Sequence, residues 1–228
     1  MRFEEKEKKY YEAYEERYKT IHSKGFTWSS ELATPIVMDT IRKYGVKYKD
    51  NLLEIGCGEG RDSFAVLKAG FDLLATDISK EAISYCREKF PKYQSSFRIV
   101  DCLSEQMQSQ YDFIYAIAVI HMLVLDADRK GFYQFIRNHL KEDGIALICT
   151  MGDGDFEMQS DIRTAFELQE RNHESGKMLV AGTSCRMVSF STFERELAEN
   201  RLEIVEKGIT SSPPDFGSLM YAIVKRGK

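Results

Sequence analysis

Proline is scarce in this sequence, four residues in 228, and no Pro/Gly/Ser-rich stretch marks a linker between domains. Internal repeats and low-complexity tracts are also missing, which excludes solenoids and arrays. No C-x-x-C pair occurs. The five cysteines, Cys57, Cys86, Cys102, Cys149 and Cys185, are scattered and odd in number. That pattern argues against a disulfide framework or a zinc site and predicts reduced thiols in a cytoplasmic protein without a metal. Long apolar runs are lacking too: the longest, around residues 114–125, is interrupted by His121 and is too short to span a bilayer. The first residues are rich in Lys and Glu with no apolar core, so no secretory signal is expected. A formal charge of −4 leaves no overall basic field for nucleic acid or an anionic membrane.

What the sequence does have is LLEIGCGEGRDS, residues 52–63. Leu52, Leu53 and Ile55 form the short apolar run of a buried parallel strand. Gly56, Gly58 and Gly60 follow at alternate positions, and residues 61–67 begin an amphipathic helix. Glycines between a strand and a helix let backbone approach a ligand, and the free N–H groups of the helix start favour a negative group there. The dinucleotide fingerprint is G-x-G-x-x-G, but here the third glycine arrives one residue early. Glu54, two positions before the first glycine, is a costly residue inside a parallel strand unless a positive or donating group meets it. A pyrophosphate would be repelled by it.

The rest of the chain alternates strands and helices. Residues 2–20 are charged and aromatic, with Phe3, Tyr10, Tyr11, Tyr14 and Tyr18; Tyr10, Tyr14 and Tyr18 recur at i+4 on one helical face. That face either packs the helix onto the domain or covers a site. A loop with Trp28 leads to a second helix over 31–44, with Pro35 near its first turn. Strands are expected at 52–55, 71–76, 97–100, 111–118 and 145–150, with helices at 61–69, 79–90 (Ser79 as N-cap) and 129–140. Residues 151–187 read as an insertion with a charged helix near 160–172, in which His173, like His139 before it, is a surface residue. A helix over 191–199 and two closing strands, 202–209 and 218–225, complete the pattern. Such alternation implies right-handed crossovers and a doubly wound parallel α/β sheet.

E-x-G-x-G-x-G resembles the first motif of the class I S-adenosylmethionine (SAM)-dependent methyltransferases. GCGEGRDS, followed by AGFDLLATDIS, is similar in particular to small bacterial methyltransferases of the tellurite-resistance type. The resemblance covers about residues 51–150 well, the closing strands moderately, and the N-terminal helices and the insertion poorly. It implies a Rossmann-like seven-stranded sheet ordered 3-2-1-4-5-7-6, with the last strand antiparallel and an N-terminal helical lid. It further implies SAM as cofactor and S-adenosylhomocysteine (SAH) as product. Glu54, Gly56, Cys57, Gly58, Gly60, Asp77, Ile78, Asp101, Cys102 and Ala116 then line the cofactor site. Asp77, about 20 residues past the loop at a strand end, accepts from the ribose hydroxyls, or else leads into the next helix cap. Asp101 ends the third strand, either facing the adenine amino group or serving as a turn residue.

Methyl transfer asks for alignment and exclusion of water, and for a general base only if the acceptor is protonated. His121, in YDFIYAIAVIHML, is the candidate base or acceptor-positioning residue, with helix-start packing as the alternative. Asp112, at the start of that strand, reads as structural. Tyr14, Tyr18 and Trp28 are candidate lid residues. Arg186 would meet an acidic acceptor or form a surface ion pair. Asp153, Asp155 and Glu157 lack the rest of a calcium loop and read as a solvated loop. No Pro-Pro-Tyr, Pro-Pro-Trp or Pro-Cys follows the fourth strand, which argues against DNA amino- and cytosine-methylating enzymes.

The expectation is therefore one SAM-dependent methyltransferase domain over 1–228. It comprises a cap (1–45), a SAM-binding core (51–150), an insertion (151–187), and a closing helix and hairpin (188–228). The acceptor expected is a small molecule, with no nucleic acid or membrane partner, and homodimerisation is left open. The competing readings are action on RNA or protein, a nicotinamide-dependent oxidoreductase, and a non-catalytic SAM-binding protein.

Overall fold

Short apolar strands and amphipathic helices alternate because each strand must bury both faces while each helix buries one. The computed structural model describes residues 8–228. A 3-10 turn (Tyr10–Glu12) runs into α1 (Ala13–His22), and α2 is Pro35–Lys43, with Pro35 in its first turn. The alternation then runs β1 (Asn51–Ile55), α3 (Arg61–Lys68), β2 (Asp72–Asp77), α4 (Lys80–Lys89), β3 (Phe97–Ile99), β4 (Tyr111–Ile117), α5 (Asp126–His139) and β5 (Leu140–Met151). After β6 (Met158–Gln159), β7 (Leu168–His173), β8 (Gly176–Ala181) and β9 (Arg186–Met187) come α6 (Phe190–Glu199), β10 (Leu202–Ser212) and β11 (Phe216–Arg226).

Seven strands form one sheet in the order β10-β11-β5-β4-β1-β2-β3. β1 runs parallel to β2 and β4, with Leu53 opposite Leu74 and Ile114, and β11 pairs antiparallel with both β5 and β10. This is the expected 3-2-1-4-5-7-6 arrangement, with the last strand of the chain reversed. Side chains alternate between two cores. Leu52, Phe113, Tyr115 and Leu147 face α2, α3 and α4, whereas Leu53, Ile114, Ala116 and Ile148 face α5 and α6. Ser79 caps α4, its Oγ accepting from Ala82 N at 3.0 Å. No helix among the described residues is long and apolar enough to cross a membrane.

The insertion differs from its expected form. The charged helix near 160–172 is instead a 3-10 turn at Ile162–Thr164 followed by the hairpin β7–β8. Met178 and Val180 alternate inward and pack against Ile21 of α1, with Trp28 beside them. That burial decides for a strand where the polar sequence of 160–172 alone does not. His139 is likewise no surface residue: it is buried at the end of α5, its Nδ1 donating to Phe135 O at 2.7 Å and its Nε2 accepting from Met107 N at 2.9 Å. His173 is half-buried on β7.

Candidate functional site

The sheet order reverses between β4 and β1, and ligands of open α/β sheets bind beyond the carboxyl ends of the strands at such a point. There the chain makes three consecutive demands on its backbone. Gly58 stands at φ +52°, and a Cβ on it would lie 2.8 Å from the Tyr18 hydroxyl. Gly60 stands at φ +79°, where a Cβ would press on Cys86 Sγ and Phe90 at 2.9 Å. Ala118, just past β4, takes φ +56°, an uncommon conformation for a residue with a side chain.

One cavity of about 860 Å³ opens over this point, at the upper end of the usual range for ligand sites. Its floor is the glycine loop and strand ends: Glu54, Gly56, Cys57, Gly58, Asp77, Ile78, Asp101 and Cys102 all line it. Two expected members do not. Ala116 is fully buried inside the sheet, and Ala118, two residues on, reaches the cavity in its place. Gly60 faces α4 and serves the turn rather than the cavity wall.

Asp77 is buried, with Oδ2 accepting from Gly58 N and Oδ1 from Ser79 N, each at 2.8 Å. The carboxylate thus shapes the loop and still presents free lone pairs to the cavity; burial raises its pKa from the ordinary value despite those amides. Asp101 accepts from Lys9 Nζ at 2.8 Å, Leu103 N at 3.0 Å and Ser104 Oγ at 2.7 Å. Burial would raise it, but these donors, Lys9 foremost, hold it below its ordinary value. Glu54 sits inside the sheet, where Ser63 Oγ and Tyr115 Oη (2.9 Å) both donate to its Oε2. Burial first and the nearby Asp62 second push its carboxyl up to about 8, with the two hydroxyls opposing. A cation placed beside it would bring that value down.

The roof is the N-terminal segment together with the hairpin β7–β8. Tyr11, Tyr14, Arg17 and Tyr18 line the cavity from α1 and the turn before it, and Trp28 lines it from the following loop. Tyr10 does not: its hydroxyl donates to Asp128 at 2.6 Å and accepts from Val124 N at 3.0 Å. The i+4 face breaks there because residues 10–12 form a tighter 3-10 turn, which turns Tyr11 inward. Three anchors tie this roof to the floor. Glu15 of α1 accepts from Ser79 Oγ and Glu81 N (2.6 and 3.0 Å), and Lys9 pairs with Asp101. Glu59, inside the glycine loop, accepts from His22 Nε2, Trp28 N, Ser29 N and Ser29 Oγ at 2.7–2.9 Å.

His121 lies on a 3-10 turn (Ile120–Met122) after β4, 4 % exposed, with Nδ1 buried and without a partner among the described residues. Arg129 fixes that turn, donating from Nη1 to Ile120 O (2.9 Å) and Leu123 O (3.2 Å) while its fork clamps Glu196 at 2.8 and 2.6 Å. Burial, then the positive charges of Arg129 and Arg17, push the imidazole down to about 3, so it is neutral in the resting protein. Arg186 lies off the cavity, donating from Nη1 to Val124 O at 2.8 Å and to exposed Asp126 at 2.6 Å. Asp112 accepts from Asn51 N and Lys141 Nζ at the far end of the sheet. Glu157 is no free loop residue: it accepts from Ser189 and Thr192 at the start of α6.

The geometry thus gives a glycine cradle, carboxylates on the ends of β2 and β3, and a covered second half. A family described as "Methyltransferase domain" matches residues 53–146, the span of β1 to β5. The match takes in the glycine loop, Asp77 and Asp101. The malonyl-[acyl-carrier protein] O-methyltransferase of Acetivibrio thermocellus is 25% identical over 127 residues, 55% of this chain. The chain matches only 43% of that relative's length. A SAM-dependent methyltransferase from Clostridium acetobutylicum superposes with a TM-score of 0.65 at 18% identity, over 84% of this chain and 89% of that one. The 1,6-didemethyltoxoflavin-N1-methyltransferase of Burkholderia thailandensis, solved with its acceptor and SAH, superposes with a TM-score of 0.68 at 15% identity. That superposition covers 92% of this chain and 85% of the other. These likenesses show the fold.

The cavity floor has the character that a nucleoside group with an amino-acid tail would need: Gly58 stands at φ +52° with the Tyr18 hydroxyl directly over it, and Asp77 keeps lone pairs beyond those that Gly58 N and Ser79 N occupy. Sequence reasoning missed Glu59, Arg17, Tyr11 and Arg171. Glu59 alone carried a local signal, as an acidic residue locked between two glycines.

Proposed function

We propose that this protein transfers the methyl group of SAM to a small-molecule acceptor enclosed between the sheet ends and the N-terminal roof. The observation that carries the reading is one continuous cavity lined both by the glycine loop with Asp77 and Asp101 and by the roof residues Tyr14, Tyr18 and Trp28 with His121. Gly56, Cys57 and Gly58 would hold the amino-acid end of the cofactor, Asp77 its ribose and Asp101 with Cys102 its adenine. When bound, SAM supplies an electrophilic methyl carbon on a sulfonium. The chain's own residues align and desolvate. Tyr18 closes over Gly58, Trp28 and Tyr14 exclude water, and an aromatic wall suits a cationic group.

His121, neutral and unpartnered, holds a free nitrogen for an acceptor hydrogen bond and takes up a proton where the acceptor is an N–H or O–H. A cavity walled by α1 and β7–β8 favours an acceptor small enough to be surrounded, rather than an RNA or protein chain. The filled pocket expected of a non-catalytic homologue is not what these walls enclose. Calorimetry with SAM, SAH and NAD tests the cofactor, and transfer of label from methyl-labelled SAM to a small-molecule extract tests the acceptor class. NAD binding without a response to SAH would reject the reading; label recovered only on RNA or protein would replace the acceptor.

A further inference from the structure

Two guanidinium groups meet at one backbone oxygen in the roof of the cavity. Arg17 Nη2 donates to Gly182 O at 2.9 Å, and Arg171 Nη2 donates to the same oxygen at 3.2 Å. Arg17 also donates to Ala181 O from Nε (3.1 Å) and Nη2 (2.7 Å), and to Thr183 Oγ1 at 3.1 Å. Every one of these acceptors is neutral. Arg17 is only 4 % exposed, yet the described residues place no carboxylate in ion-pair range of either guanidinium.

A buried cation without a counter-charge is costly, and a second cation beside it adds repulsion. Burial first and then Arg171 hold the Arg17 guanidinium below its ordinary value, with only Tyr14 and Tyr18 opposing. Several features show the arrangement to be held in place. Thr183, a β-branched residue, sits at φ +61°, a strained conformation that persists only where surroundings impose it. Arg17 stacks over Trp28 and Tyr14, 4.4 and 4.7 Å from the ring centroids, which fixes the plane of its fork. Its Nη1 has no hydrogen-bond partner among the described residues and remains available as a donor. Both arginines line the cavity together with His121, whose Nδ1 is buried and unpartnered. Glu174 lines the same cavity at the hairpin turn but pairs with neither arginine.

We infer that Arg17 and Arg171, with His121 beside them, form an oxyanion subsite, so that the methyl acceptor is an acidic small molecule. A planar guanidinium fork matches a carboxylate, and Trp28, Tyr14 and Met122 suit an apolar or aromatic body behind it. An anion seated there would also relieve the positive field of Arg17 on His121 and make the imidazole a better proton acceptor. Calling the ligand the acceptor rests on the methyltransferase reading; the anion site itself does not.

Trp28 is the only tryptophan of the chain, and its ring lies against Arg17, so its emission reports on this subsite. The SAH-loaded protein is titrated with benzoate, benzamide and inorganic phosphate at constant ionic strength. Benzoate should change Trp28 emission saturably and bind roughly tenfold more tightly than benzamide, as expected for hydrogen bonds to a charged group. Arg171→Gln, on the exposed strand β7, should weaken benzoate roughly fivefold or more while leaving SAH affinity and circular dichroism unchanged. Arg17→Lys keeps the charge but loses the fork and should also weaken benzoate. Phosphate saturating below benzoate would support the subsite and assign it to a phosphorylated acceptor. Equal binding of benzamide and benzoate, an R171Q protein that binds benzoate as the wild type does, or no response to either anion would overturn the inference. Failure to bind SAH would instead refute the proposed function.

Discussion

Replacing Glu59 by Gln should release the roof from the floor without unfolding the sheet. The side chain is 3 % exposed, and its two oxygens divide four donors between them. Oε1 takes His22 Nε2 at 2.9 Å and Trp28 N at 2.7 Å; Oε2 takes Ser29 N and Ser29 Oγ, both at 2.8 Å. An amide keeps one accepting oxygen and turns its other end into a donor that faces two donors. At least one backbone N–H is left buried without an acceptor, and the remaining bonds lose their charge assistance. Hydrogen bonds to charged groups are worth about 1.5–3 kcal/mol each, and an orphaned donor costs about 1–3 kcal/mol. A net loss of about 3 kcal/mol is a reasonable centre for these overlapping terms, or roughly 100-fold in the docking equilibrium of the segment. Hydrogen exchange reads this directly. Amides of residues 26–30 and of α1 should exchange roughly 100-fold faster in E59Q, while those of β1, β4 and β5 keep their protection. Affinity for SAH should fall with the loss of cover. Unchanged exchange in the N-terminal segment would refute the anchor, and uniform acceleration across the sheet would show that Glu59 supports the whole fold instead.

Gly58→Val should abolish SAM binding with near-normal circular dichroism, since its side chain meets Tyr18 and fills the cradle; normal binding would mean the loop is not the contact surface. Asp77→Asn should lower SAH affinity roughly ten- to hundredfold by calorimetry, and unchanged affinity with a lower Tm would favour a turn role alone. Roof docking should also depend on pH. Burial by itself lowers the His22 pKa, but its bonds to Glu59 and Glu81 prevail and raise it above the ordinary 6.5, so its contribution is full below 6.5 and is lost as pH rises through the raised value. Burial raises and the four donors lower Glu59, and the net value below 4.5 keeps its contribution above 4.5 and loses it in more acid solution. Exchange in α1, corrected for its intrinsic rate, should therefore be slowest between those limits and faster above them, and His22→Gln should flatten the alkaline side.

How much of this was legible depends on whether the signal was local. The strands of the sheet announce themselves as apolar runs between breakers, and Glu54, Gly56, Gly58, Asp77 and Asp101 are placed by spacing along β1, β2 and β3. Their order in space follows from short right-handed crossovers, so sequence and topology carry the same information. The hairpin β7–β8 had no such advantage. LQERNH is polar, and its partner GKMLVA buries Met178 and Val180 only because Ile21, far away in sequence, stands opposite. A strand stabilised by a distant helix leaves little trace in a window of ten residues.

The site divides along the same line. Its floor is legible because the residues lining it are loop backbone and strand ends, whose positions the fold dictates. Its roof was read as aromatic, and Tyr14, Tyr18 and Trp28 do line the cavity, but the buried charges beside them were invisible. Arg17 looks in sequence like one more basic residue of a Lys/Glu-rich helix, although Ala13 and Tyr14 before it and Thr20 and Ile21 after it offer no acidic partner at i±3 or i±4. The fold sets it on the carbonyls of Ala181 and Gly182, beside Arg171 and out of ion-pair range of any carboxylate among the described residues. Arg186, read either as a partner for an acidic acceptor or as half of a surface ion pair, donates to Val124 O and pairs with exposed Asp126. Charge in a sequence is therefore a poor guide to charge in a site. What matters is which ions the packing leaves without a counter-ion, and among the described residues those on the cavity wall are the guanidiniums of Arg17 and Arg171 at the end of the hairpin.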